Sequence, residues 1–183
     1  MAEFAPAFAH TMKFEDDPRK PGRVSTEPSG CRARFGINED AHPEMPAEFW
    51  TEPAEQARTQ AEKVFVRDYW DALKLDHLHD QGVANKIFDM AVNMGVRQAG
   101  LYVQRAVNFV CETQMVAPTG RKSPAIAVDG VIGLQTLALV NAVDHQAMLQ
   151  ELRNLSKAHY EHVAAVNPRF AGWLEGSLKR AVG

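Results

Sequence analysis

Cysteine is scarce in this chain: Cys31 and Cys111 are the two in 183 residues. Two thiols build no disulfide framework, and neither belongs to a CxxC pair, so both are expected as buried thiols. Long apolar runs are missing; none approaches the roughly 18 residues needed to span a bilayer. An excess of basic charge is missing too. The formal net charge is −3 and no basic stripe is obvious, which argues against a nucleic-acid binder that relies on phosphate contacts. It also argues against finding an anionic polymer by charge alone. There is no HExxH motif. Asp76-His77-Leu78-His79-Asp80 has the ligand types for zinc but no distant partner, so it is expected as a solvated loop. The first residues lack a basic n-region and a long apolar h-region, so no standard signal peptide is expected. Alternating strand patterns of useful length and internal repeats are absent.

Helical periodicity is what remains. Hydrophobic residues make up 45% of the chain, enough for a real core. Phe4, Phe8 and Met12 predict a short opening helix that runs into Phe14-Glu15. Pro18 disfavours its continuation. From there to about Glu52, prolines and glycines predict a long irregular segment, with one small hairpin around Arg32 to Ile37. Segments of that length inside a compact unit are usually functional. Helix resumes near Pro53, with Ala57, Ala61, Val64 and Phe65 on its apolar face, and ends in Tyr69-Trp70. Val83, Ile87, Met90 and Met94 mark a helix stopped by Gly95. Val103, Val107 and Val110 mark the next. After a loop carrying Pro118, Gly120 and Pro124, the turn Asp129-Gly130 leads to helices with Leu134 and Leu137, then Met148, Leu152 and Leu155, then Phe170, Trp173 and Leu174. The class is mainly α.

Among the candidate groups, Glu15 comes first. A carboxyl that follows Phe14 at a helix end, where the chain enters a loop, is placed to donate a proton from a partly apolar setting. The alternative is a solvated acidic cluster, Glu15-Asp16-Asp17. Glu27, in Thr26-Glu27-Pro28-Ser29-Gly30, is a second carboxylate for the opposite side of such a reaction, with Asp16, Asp17, Glu39 and Asp40 as competitors. Tyr69 and Trp70 offer flat faces to a ring-shaped ligand, or else core packing. Asn93 is a ligand contact or a helix-end residue. Gln104 contacts substrate or faces solvent.

The order of short motifs is specific. It runs Phe14-Glu15-Asp16-Asp17, Arg34-Phe35-Gly36-Ile37-Asn38, Tyr69-Trp70 and Phe88-Asp89-Met90-Ala91-Val92-Asn93-Met94-Gly95. It continues with Val103-Gln104-Arg105-Ala106, Asp129-Gly130-Val131-Ile132-Gly133 with Thr136 and Leu137, and Tyr160-Glu161-His162. This series resembles the N-acetylmuramidases of glycoside hydrolase family 108, which carry a C-terminal peptidoglycan-binding-like region. The family pattern has two glycines after the glutamate where this chain has Asp16 and Asp17, a threonine where it has Ala33, and Gly-Trp where it has Gly176-Ser177. The first two departures touch the loop beside Glu15.

The resemblance implies a lysozyme-like helical fold. It implies a catalytic region at 1–100 and a helical peptidoglycan-binding-like region at 101–183, packed as one unit. It implies hydrolysis of the β-1,4 bond between N-acetylmuramic acid and N-acetylglucosamine, with Glu15 as general acid and neither metal nor organic cofactor. Transglycosylation also begins with a glutamic acid and stays open at this point. So does a non-catalytic wall-binding or secretion-associated role. The expected partner is the glycan strand of peptidoglycan. The expected place of action is the periplasm or the outside of the cell, as a phage endolysin, a wall-remodelling enzyme, or a delivered toxin that would need secretion machinery and an immunity protein.

Overall fold

The computed structural model describes residues 1–17, 19–26, 30–113, 125–167, 172 and 174–182. Glu27, Pro118, Gly120, Pro124, Phe170 and Trp173 lie outside the described residues. Among those described, seven α-helices and one small sheet are present, so the chain is mainly α. Helix α1 is Phe4–Glu15 and buries Ala7, Phe8, Thr11 and Met12, the stripe that the periodicity predicts. It has no side-chain N-cap. Instead its start is tied to distant residues: Ala2 N donates to Leu78 O at 2.7 Å, and Gln81 bonds both Glu3 N and Glu3 O.

The end of α1 matters most. Asp16 leaves helical geometry (φ −128°, ψ 143°), and both of its carboxylate oxygens accept from Gly22 N, at 3.0 and 3.1 Å. Glu15 is therefore the last helical residue, at a point where the backbone turns away.

The irregular segment holds three antiparallel strands, β1 (Ser25–Thr26), β2 (Arg32–Arg34) and β3 (Ile37–Asn38), in the order β1-β2-β3. The expected hairpin is the β2–β3 pair, with Arg34 opposite Ile37; β1 is an addition. Phe35 and Gly36 both take positive φ, 50° and 76°, the two-residue turn whose twist suits a hairpin. Arg34, almost fully buried, anchors the hairpin through three backbone carbonyls: Gly22 O at 2.8 Å, Phe49 O, and Glu52 O at 2.9 Å. Phe49 belongs to a short 3-10 helix, Ala47–Trp50.

Helix α2 (Ala54–Phe65) passes into a π turn, Val66–Trp70. Helices α3 (Gln81–Met94) and α4 (Val96–Thr113) follow, separated by Gly95 alone (φ 88°). Helices α5 (Leu134–Ala142), α6 (His145–Val166) and α7 (Leu174–Val182) complete the fold. Helix α3 packs against α1, α4 and α6, and α7 lies against α6. One continuous cluster of buried apolar side chains includes Phe8, Phe65, Phe88, Val103, Leu137 and Leu152. Helix α4 runs through the expected boundary at residues 100–101.

The Asp129-Gly130 turn is seated on α4 by Gln104. Its Oε1 accepts from Asp129 N and Gly130 N, and its Nε2 donates to Asp129 Oδ1 and Val131 O. Gly130 takes φ 82°, and a methyl on Gly100 would lie 2.4 Å from the Gly130 carbonyl oxygen. The turn and the helix touch through backbone. Gly100→Ala should therefore cost about 2 kcal/mol net, because the overlap outweighs alanine's better helix propensity. For a chain of this length the midpoint should fall by roughly 4–8 °C. Thermal unfolding checks it; an unchanged midpoint would mean that the contact gives way freely.

Candidate active site

Glu15 stands on the wall shared by two cavities. One, of about 720 Å³, lies toward the sheet and is lined by Glu15, Asp17, Thr26, Ala33, Gly36 and Asn38 among others. The second, of about 460 Å³, lies toward the C-terminal helix, between Phe14, Glu15, Asn93, Gly176, Ser177 and Arg180. The two carboxylate oxygens face differently. Oε1 accepts from Arg180 Nη1 at 2.6 Å. Oε2 faces the hairpin turn, where a methyl on Gly36 would sit 3.4 Å from it. The Glu15 side chain is 21% exposed, partly sheltered yet open to a ligand.

Arg180 is held from below. Its Nε donates to Asp89 Oδ1 at 2.9 Å, and the side chains of Arg180 and Asp89 are 8% and 1% exposed. Lys86 Nζ donates to the Arg180 carbonyl at 2.9 Å. Burial pushes the Lys86 ammonium down to about 8, against the opposing pull of Asp89. The Tyr160 hydroxyl, on α6, is pushed up to about 12, chiefly by burial. The floor of the site is thus a polar layer inside the helical core, contributed by α3, α6 and α7.

The other acids divide. Asp16 spends its carboxylate on the Gly22 amide. Glu39 is paired to Arg32. Asp17 lines the larger cavity, with Oδ1 accepting from Arg19 N at 2.9 Å. Asp40 borders a different cavity, next to Trp50.

The predicted sugar contacts also separate. Asn93 is exposed and lines the α7-side cavity with Glu15. Tyr69 is half-buried, with Phe65 at 5.5 Å and Phe88 at 6.4 Å between ring centroids. Its phenol is pushed up, first by burial, then by the charges of Asp68 and Glu15, so it lies within electrostatic reach of the acid. Trp70 is buried among Phe4 and Phe88, at 5.8 and 6.0 Å. A ring enclosed by aromatics has no free face for a sugar. Gln104 is buried, and all four of its amide hydrogen-bonding positions are used by the Asp129-Gly130 turn. Both side chains are thus part of the scaffold around the site as the structure describes it.

Cation ligands can be placed at two points. In the Asp76–Asp80 segment, Asp80 caps α3 through Val83 N at 2.8 Å, and Leu78 is buried; the segment is a helix start. His42, Glu44 and Asp68 bring ligand atoms within 4.8 Å of one another. Arg67 already satisfies them, bonding Glu44 at 2.8 Å and Asp68 at 2.7 Å. That pairing holds the Glu44 carboxyl down to about 2.

Residues 13–95 match the family described as Glycosyl hydrolase 108. Residues 90–182 match the one described as Predicted Peptidoglycan domain. The structure of Brucella abortus SagA superposes with a TM-score of 0.60 at 21% identity, over 98% of this chain and 93% of that one. At that identity the likeness is one of fold. No curated protein matches the chain.

Proposed function

Since residues 13–95 match the glycosyl hydrolase 108 family and residues 90–182 the predicted peptidoglycan domain, we propose that the chain is a glycoside hydrolase of peptidoglycan, an N-acetylmuramidase with Glu15 as general acid. The observation that carries this reading is the position of Glu15: a partly sheltered carboxyl on the wall between two cavities, one oxygen fixed and the other facing the larger cavity. A glycan strand laid along both cavities has its scissile bond over that carboxyl. Glu15 passes its proton to the glycosidic oxygen as the bond to the anomeric carbon breaks, through an oxocarbenium-like state. A water, or a carboxylate such as Glu27 or Asp17, serves the other face. Asn93 flanks the strand in the α7-side cavity. Such a reaction needs acid, water and position, and no metal enters it.

The test is mass spectrometry of the fragments released from purified wall. A muramidase leaves N-acetylmuramic acid at the new reducing end. N-acetylglucosamine at that end would make the enzyme a glucosaminidase, 1,6-anhydro ends would make it a transglycosylase, and either would overturn the assignment. Action on this polymer takes place outside the cytoplasm.

A further inference from the structure

Arg180 is the strongest unexplained feature beside the site. It comes from α7, 165 positions after Glu15. Its guanidinium meets Glu15 on one side and Asp89 on the other, and lies 5.4 Å from the centre of the Phe14 ring. Its own backbone carbonyl is pinned by Lys86. Two helices, α1 and α3, therefore bring charged groups to this one residue of α7. Enclosing charges is costly unless their geometry is well satisfied, and a fold needing only apolar contact at α7 would have no use for the arrangement.

We propose that Arg180 is a positioning residue for the catalytic acid, so that the C-terminal segment completes the active site as well as packing against it. The inference rests on the role given above to Glu15. By holding Oε1, Arg180 leaves Oε2 as the oxygen that faces the larger cavity and delivers the proton. When that proton moves to the leaving oxygen, Glu15 gains a negative charge. A guanidinium already at 2.6 Å stabilises that charge without further reorganisation, which is the condition for effective electrostatic catalysis. Asp89 and Lys86 act one step further back, fixing the side chain and the backbone of Arg180.

The experiment measures kcat and KM separately on soluble glycan fragments, with thermal midpoints as a control for folding. Arg180→Met keeps most of the length and removes the charge. Its kcat should fall about 100-fold, the scale of a misplaced reacting group, while KM changes by less than about threefold. Arg180→Lys should recover about tenfold of that loss by restoring a cation near Oε1, with less than full recovery because it lacks the planar fork. In Arg180→Ala, added guanidinium at non-denaturing concentration should raise kcat. A purely structural role predicts that kcat only follows the thermal midpoint across these variants, with no change of its own.

If Arg180→Met fails to fold because Asp89 is stranded, the double variant Asp89→Asn with Arg180→Met removes both charges and is read in the same way. A kcat within about threefold of wild type in a folded variant overturns the proposal. So does a loss that neither lysine nor guanidinium repairs. Glu15→Gln, assayed in parallel, separates the two failures. If it is inactive while Arg180→Met is fully active, only the positioning role is lost. If it is active, the assignment of the acid itself is lost.

Discussion

Glu15→Gln should lower wall turnover by about 10²–10⁴-fold, the range for loss of a positioned general acid, and leave the fold nearly unchanged. Glutamine preserves the length and the oxygen that Arg180 contacts at 2.6 Å, but it carries no transferable proton. Arg180 keeps Asp89 as its anionic partner, so the exchange strands no buried cation. Only one end of the pair changes, at a side chain that is already 21% exposed. The thermal midpoint should therefore move by no more than a few degrees. Dye release from labelled wall, with calorimetry on the same sample, checks both halves. A variant that turns over near the wild-type rate would remove Glu15 from the reaction and shift attention to Asp17, which lines the same cavity.

A chain ending at Met94 should not form a native fold. The face of α3 that meets α4 and α6 would be uncovered, and with it Ile87, Met90 and Ala91, all at 2% exposure or less. Each fully buried large apolar side chain contributes about 1.5–3 kcal/mol, against a total stability of about 5–15 kcal/mol for a whole protein. Asp89 and Lys86 would lose Arg180 as well, leaving charge on a face shaped for burial. The expected product is insoluble or molten. The full chain should unfold in one transition whose calorimetric and van't Hoff enthalpies agree. Two transitions, together with a soluble active fragment, would show instead that the C-terminal half is an independent appendage.

The local elements were legible because each reports its own burial. Phe8 and Met12 repeat at helical spacing and are buried on α1. Gly95 separates two helices because a positive φ there suits glycine. Glu15 is singled out by the order of short motifs around it, and Asp129-Gly130 by its turn chemistry. Trp70 and Gln104 were assigned by residue type, which does not tell an enclosed aromatic from an open one, or a free amide from one fully occupied by a turn. The small sheet was only half visible, since strands of two and three residues are too short to show alternation.

What the sequence by itself determined is the set of helices, the place where α1 must stop, and the carboxyl left at that stop. Periodicity and chain-breaking residues act over a few positions, and all three features are local in that sense. What only the tertiary structure decided is the company that carboxyl keeps. Asp89 and Lys86 sit three apart on a largely apolar helix, a visible oddity with no visible partner. Arg180 is separated from Asp89 by 91 positions and from Glu15 by 165. Nothing local links those positions. They meet because α1 packs on α3, α3 on α6 and α6 on α7, and the apolar burial that joins those helices is non-directional, so no short-range pattern announces which charges it will bring together.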